Sequence, residues 1–313
     1  MAELSVYLFW SGLLTSVLAA AVYALHGVAA GLWQVRRAAV EGGGVLAVVA
    51  PAGDRGGGRF ATTSAGMASL FFVASALARW AASGRPPLAN MFEATVALSG
   101  FVGVSYLLFE RQAGTRRFGA FAMALVAAFA GVASFFPAEV QPLVPALQNA
   151  PLLLLHVSVM MVSYAVISVA FVGAVVYLLQ GGESGHRFAA LPSGEAAGEL
   201  AHRAVMAGFL LLGLGIALGA WWANSAWGRY WGWDPKETSA LVLWLSLAAY
   251  FHARAGSGTV ANAPGFRRIL PAWIRRGPRP DPMWWVVVAF FLMLFTYFGV
   301  NLWVTGLHSY AGV

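Results

Sequence analysis

Few side chains in this sequence can do chemistry, which makes them easy to locate. Its 313 residues include no cysteine, so no disulfide, thiolate nucleophile or thiolate metal ligand is available. What remains is a set of histidines and the stretch 221–237, WWANSAWGRYWGWDPKE, which holds five of the thirteen tryptophans. Three histidines, His156, His252 and His308, fall within or at the ends of long apolar runs, where an ionisable group is costly and is a functional candidate. Neutral imidazole ligates iron or copper, and two imidazoles on opposite faces of a porphyrin make six-coordinate haem, whose flat macrocycle indole faces can cover. Zinc fits less well, because it takes three or four ligands in a tetrahedron and few acids stand near these histidines. Two plainer readings also account for the residues: a membrane histidine is as often a hydrogen-bonded structural group, and dense tryptophan also marks an interfacial aromatic belt.

The elements that position these groups are membrane helices. The chain is 60% hydrophobic and 10% charged, with a mean hydropathy of +0.72, far from the composition of a soluble domain. Apolar runs at 5–32, 61–80, 91–109, 118–136, 151–179, 204–222, 238–253 and 284–304 predict about eight transmembrane helices in an all-α polytopic bundle, one domain over 1–313. Fifteen of the nineteen Lys and Arg residues fall in the connections 33–60, 110–117, 180–203 and 254–283. The positive-inside rule therefore predicts both termini and the tryptophan stretch on the outer side. The net charge of +7 is dispersed among short loops, which argues against nucleic acid, and Arg275, Arg276 and Arg279 suit lipid phosphates or an anionic ligand's carboxylates, lipid anchoring being the commoner outcome.

On this topology His156 lies one to two turns into the outer end of span five, His308 just beyond span eight, and His252 near the inner end of span seven. His26, closing span one, stands at about the depth of His252. His186 and His202 fall in an inner loop and receive no role. Trp227, Tyr230, Trp231 and Asp234 recur at i, i+3, i+4 and i+7, predicting a short interfacial helix with all four on one face. Asp234, Pro235 and Glu237 read as N-cap, N1 and N3 of a capping box that starts span seven. Glu93 reads as a first-turn acid at the start of span three.

The tryptophan stretch resembles the WWD signature of haem-handling membrane proteins, in particular the CcsA/ResC family of System II cytochrome c biogenesis. The order of His156, the signature, His252 and His308 within 306–310 (GLHSY) is similar to that family's, as is 90–93 (NMFE). The resemblance implies a bacterial plasma-membrane protein with haem b as substrate and ligand, held in the membrane by His252. It further implies presentation outside by His156 and His308 against Trp222, Trp227, Tyr230, Trp231, Trp233 and Asp234. It implies a ResB-type membrane partner, whose histidine would complete the inner site unless His26 does so, and a subunit role in a holocytochrome c synthase. The apocytochrome c Cys-x-x-Cys-His segment would supply the thiols, kept reduced by a thioredoxin-like protein. Two other readings stay open: a haem exporter without ligation chemistry, and a cytochrome b-type electron-transfer anchor.

Overall fold

Inside hydrocarbon no water is available to backbone N–H and C=O groups, so a chain of this composition must close its hydrogen bonds within each segment. In the computed structural model, which describes residues 1–41, 53–113, 116–140, 150–256, 281–304 and 306, it does so with helices. These are α1 (Ala2–Glu41), α2 (Gly53–Ser83), α3 (Met91–Ala113), α4 (Gly119–Ala133), α5 (Ala150–Gln180), α6 (Gly194–Trp227), α7 (Pro235–Gly256) and α8 (Met283–Leu294). A π-helical turn, Phe295–Gly299, and the short α9 (Val300–Trp303) extend α8. There is no strand among the described residues. Among the described residues, six segments are long and apolar enough to cross a membrane: Ala2–Trp33, Gly56–Ser83, Met91–Arg111, Pro151–Gln180, Gly194–Trp227 and Met283–Trp303. Gly119–Ala133 is a shorter apolar helix, and α7 carries Lys236, Glu237, His252 and Arg254 along its 22 residues.

The helices alternate in direction. α1 packs on α2 and α4, α3 joins that group to α5, and α5 pairs with α6, while α7 packs on α6 and α8. Large apolar side chains such as Tyr7, Leu14, Leu25, Leu77 and Leu210 are exposed, as a lipid-facing surface requires. Small polar residues are buried between helices: Ser69, Ser99 and Ser168 each donate to the carbonyl four residues back.

Helix α5 and antiparallel α6 meet along a glycine seam. A Cβ at Gly208 would lie 3.0 Å from Ile167, one at Gly215 would collide with Met160 Sδ, and one at Gly219 would lie 2.6 Å from His156 Cε1. Each step along α6 is matched by an equal step back along α5, so the seam fixes the register that brings His156 against Gly219.

Two sequence expectations are corrected. The interfacial helix does not form: α6 continues unbroken to Trp227 and ends at Gly228, whose φ of 71° is the left-handed conformation glycine adopts without a Cβ penalty. Residues 228–234 are non-helical, so Trp227, Tyr230, Trp231 and Asp234 share no helix face. His202 is not in a loop either. Helix α6 begins at Gly194, capped by Ser193 accepting from Ala196 N, and His202 Nδ1 lies 3.0 Å from the Tyr250 hydroxyl of α7.

Candidate functional site

At the tryptophan end of the bundle a cavity opens between α3, α5, α6, α7 and the end of α8. Its empty space, counted out through the open mouth and so including solvent, is about 1110 Å³. The walls are largely apolar, with Met91, Val157, Met160, Met161 and Ile216 among them. Convergent polar groups come from His156, Asn90, Lys236, Tyr297 and Asn301.

His156 enters from the second turn of α5. Its Nδ1 lies 2.9 Å from the Gly215 carbonyl. A carbonyl oxygen only accepts, so Nδ1 carries the proton and the imidazole lone pair sits on Nε2, the tautomer in which histidine ligates a metal. The ring lies parallel to the Trp222 indole, 8° between planes and 6.2 Å between centroids. Trp222 is buried and meets Trp227 edge-on at 4.8 Å. The missing Cβ of Gly219 makes room for the imidazole.

The loop that follows α6 is held by its acids. Asp234 accepts from Lys236 N at 3.1 Å, while Glu237 Oε2 accepts from both Asp234 N (3.1 Å) and Gly232 N (2.8 Å). This is the capping box read from the sequence, with one additional bond to Gly232. Between the two amides that Glu237 pins sits Trp233, whose φ of 56° is unusual for a bulky residue. Trp231 lines the cavity and meets Trp233 edge-on at 5.7 Å. Tyr230 and Trp233 are exposed and do not line it.

Helix α3 is anchored beside the cavity by a buried charge cluster. Glu93 Oε1 pairs with Arg79 Nε at 2.9 Å, and its Oε2 pairs with Arg85 Nη1 at 2.9 Å and accepts from Ala89 N. Arg79 also donates to the Ala138 carbonyl and lies over the Phe92 ring. Asn90 caps α3 by accepting from Glu93 N at 2.8 Å. The first-turn role read for Glu93 therefore extends to two arginines from the preceding helix and loop, and the cluster fixes the segment that supplies Leu88, Asn90 and Met91 to the wall.

The structure thus gathers His156, Trp222 and Trp231 at one cavity, with Trp227 behind Trp222 and Asp234 buried at the start of α7. His308 lies outside the described residues. Gly306, two residues before it, packs against the α7 cap, where a Cβ would lie 2.6 Å from Asp234 Oδ1. His252 is exposed near the far end of α7. His26 packs beside Gly58 of α2, in the group of helices remote from α7. Sequence reasoning missed Asn301, Tyr297 and the cavity-facing role of Lys236. The Lys236 Nζ donates to Asn301 Oδ1 at 2.7 Å, and Tyr297 OH lies 3.1 Å from Thr95 Oγ1. The π turn carries Tyr297, and Val300 N bonds back to the Phe295 carbonyl there, a departure from α geometry often found at functional sites.

Fold and site together define a multi-pass helical membrane protein with a tryptophan- and imidazole-walled cavity at one end. Comparison with known proteins narrows this class. The family described as "Cytochrome C assembly protein" matches residues 88–308, a range that spans every cavity-lining residue. Relatives named "Cytochrome c biogenesis protein CcsA" include that of Synechococcus sp. (strain CC9605), 36% identical over 274 residues, covering 78% of this chain and 84% of the relative. Those of Synechococcus elongatus (33% over 299 residues; 80% and 86%) and Porphyra purpurea (35% over 278 residues; 74% and 81%) are comparable. The chain belongs to the CcsA family of cytochrome c assembly proteins, and its role is in cytochrome c biogenesis.

Proposed function

We propose that the cavity binds haem and presents it on the extracytoplasmic side of the membrane for attachment to apocytochrome c. The observation that carries this reading is His156, held in the ligating tautomer by Gly215 on the wall of an open cavity and flanked by the Trp222 face. An aromatic- and methionine-lined space with one fixed imidazole suits an apolar disc with a metal at its centre. The second axial ligand is His308. It follows Gly306 by two residues, a reach of ~7 Å of chain from the Asp234 contact.

The chain's part is binding, axial ligation and orientation, while the reactive vinyl groups belong to the cargo. Each cysteine thiol of a Cys-x-x-Cys-His segment adds across one vinyl double bond: sulfur bonds to one carbon, the thiol hydrogen goes to the other, and no electron acceptor is needed. The cysteine-free sequence cannot compete for those thiols. A ResB-type partner and a thioredoxin-like reductant complete the assembly, with His252 and a partner histidine holding haem nearer the cytoplasm. The placement of His26 on α1 and His252 on α7, helices packed on different neighbours, favours the partner over His26.

Purified full-length protein loaded with haem is expected to give a low-spin, bis-histidine absorption spectrum. His156→Ala and His308→Ala should each shift it towards a high-spin or weakly bound form. A low-spin spectrum that survives both substitutions would refute the assignment of this cavity.

A further inference from the structure

One charged group inside the cavity has no role in the reading above. Lys236, second residue of α7, extends its ammonium to the cavity wall and donates to Asn301 Oδ1 at 2.7 Å. The Asn301 amide is itself committed, donating to the Tyr297 carbonyl at 2.6 Å and approaching Met91 Sδ at 3.3 Å. The two acids closest in sequence serve the backbone: Asp234 accepts from Lys236 N, and Glu237 accepts from Gly232 N and Asp234 N. Among the described residues, no carboxylate stands within ion-pairing distance of the Lys236 ammonium. An ammonium carries three donors, and one neutral acceptor uses only one of them. Asp234 attracts this cation through space and Glu237 also lines the cavity, yet neither carboxylate hydrogen-bonds the ammonium, so in a cavity walled by Met91, Val157 and Ile216 its remaining donors favour a hydrogen-bonded anion. The cluster around Glu93 shows the contrast, because there buried Arg79 and partly buried Arg85 both pair with one carboxylate.

We infer that Lys236 is the anion-recognising group of the cavity and takes a carboxylate borne on the edge of a flat, apolar ligand. This rests on the haem reading of the same site, under which the carboxylate is a porphyrin propionate. His156 and Lys236 then hold the ligand at two points from different helices: the iron through α5 and one ring edge through α7. Two anchors fix rotation of the disc within its plane, which a single axial bond leaves open. Asn301 positions the ammonium, and the π turn before it supplies the carbonyl that holds Asn301.

The test is a spectral titration of the full-length protein in detergent with iron protoporphyrin IX and with its dimethyl ester. These differ in the carboxylate charge and keep the same metal and vinyl groups. The wild-type chain should bind the diacid ~10-fold or more tightly than the diester, the size expected of a charge-assisted bond in an apolar site. Lys236→Met should bring the two within ~3-fold while both retain the low-spin spectrum, and dividing the variant's ratio by the wild-type ratio cancels micelle partitioning. Lys236→Gln keeps a donor for Asn301 and removes only the charge, so it serves if the methionine variant fails to fold. Full discrimination in either folded variant would overturn the inference. A wild-type chain that binds both porphyrins alike overturns the lysine assignment and leaves the haem reading intact. Binding of neither removes both.

Discussion

At the scale of single residues, the tryptophan stretch is organised by an acid as much as by its indoles. Trp233 is exposed, and its backbone lies in a region that costs a bulky residue of order 1–3 kcal/mol. Glu237 Oε2 bonds the amides on both sides of it, Gly232 N and Asp234 N. Glu237→Ala releases both, and loss of such a cap costs about 1–2 kcal/mol. The expected outcome is a lower thermal midpoint in detergent and a weakened haem spectrum, because Trp231 moves with the loop. An unchanged midpoint would mean that Trp233 is held by something else. The capping box was legible in the sequence because all its partners lie within five residues of one another. The bond from Lys236 to Asn301 was not, since it joins residues 65 apart through the packing of α7 on the end of α8.

At the scale of helices, what sets the cavity is the α5–α6 register. Gly219 faces the imidazole of His156 so closely that a single methyl intrudes on it. Gly219→Ala should push the ring off the Gly215 carbonyl, with an overpacking cost of ~1–3 kcal/mol and loss of the low-spin haem signal from protein that still purifies as a folded chain. Gly131→Ala, where a Cβ meets nothing within 4 Å, is the matched control and should leave the spectrum unchanged. If Gly219→Ala binds haem with the wild-type spectrum, the seam does not position His156. Helix number was legible because each apolar run is long enough to need its own hydrogen-bonded segment. Helix ends were harder. The spacing of Trp227, Tyr230, Trp231 and Asp234 imitates a helix face, yet Gly228 takes a left-handed conformation within it and stops α6. At the other end of α6, the polar run 194–203 reads as loop by hydropathy, although the Ser193 cap and buried Ala197, Leu200 and Ala201 make it helix.

At the scale of the whole molecule, the proposed function depends on which side of the membrane the cavity faces. Composition bears on this through the basic residues. The tryptophan end carries Arg79, Arg85, Arg229 and Lys236, two of which are tied to Glu93, whereas the sequence puts the other fifteen Lys and Arg residues in the connections 33–60, 110–117, 180–203 and 254–283. Retention of such residues in the cytoplasm predicts an outward-facing cavity, the side on which the proposed function requires apocytochrome thiols to meet haem. Because the chain has no cysteine, single cysteines report this directly without a background to remove. Tyr230→Cys and Trp233→Cys sit on exposed positions at the cavity end, and Arg203→Cys on an exposed side chain at the other. In intact cells a membrane-impermeant maleimide is expected to label the first two and to reach the third only after permeabilisation. Labelling of residue 203 alone in intact cells would turn the bundle over. His156, Trp222 and Lys236 would then face the side on which haem is made, and the same cavity would have to be a loading site in place of a site of presentation.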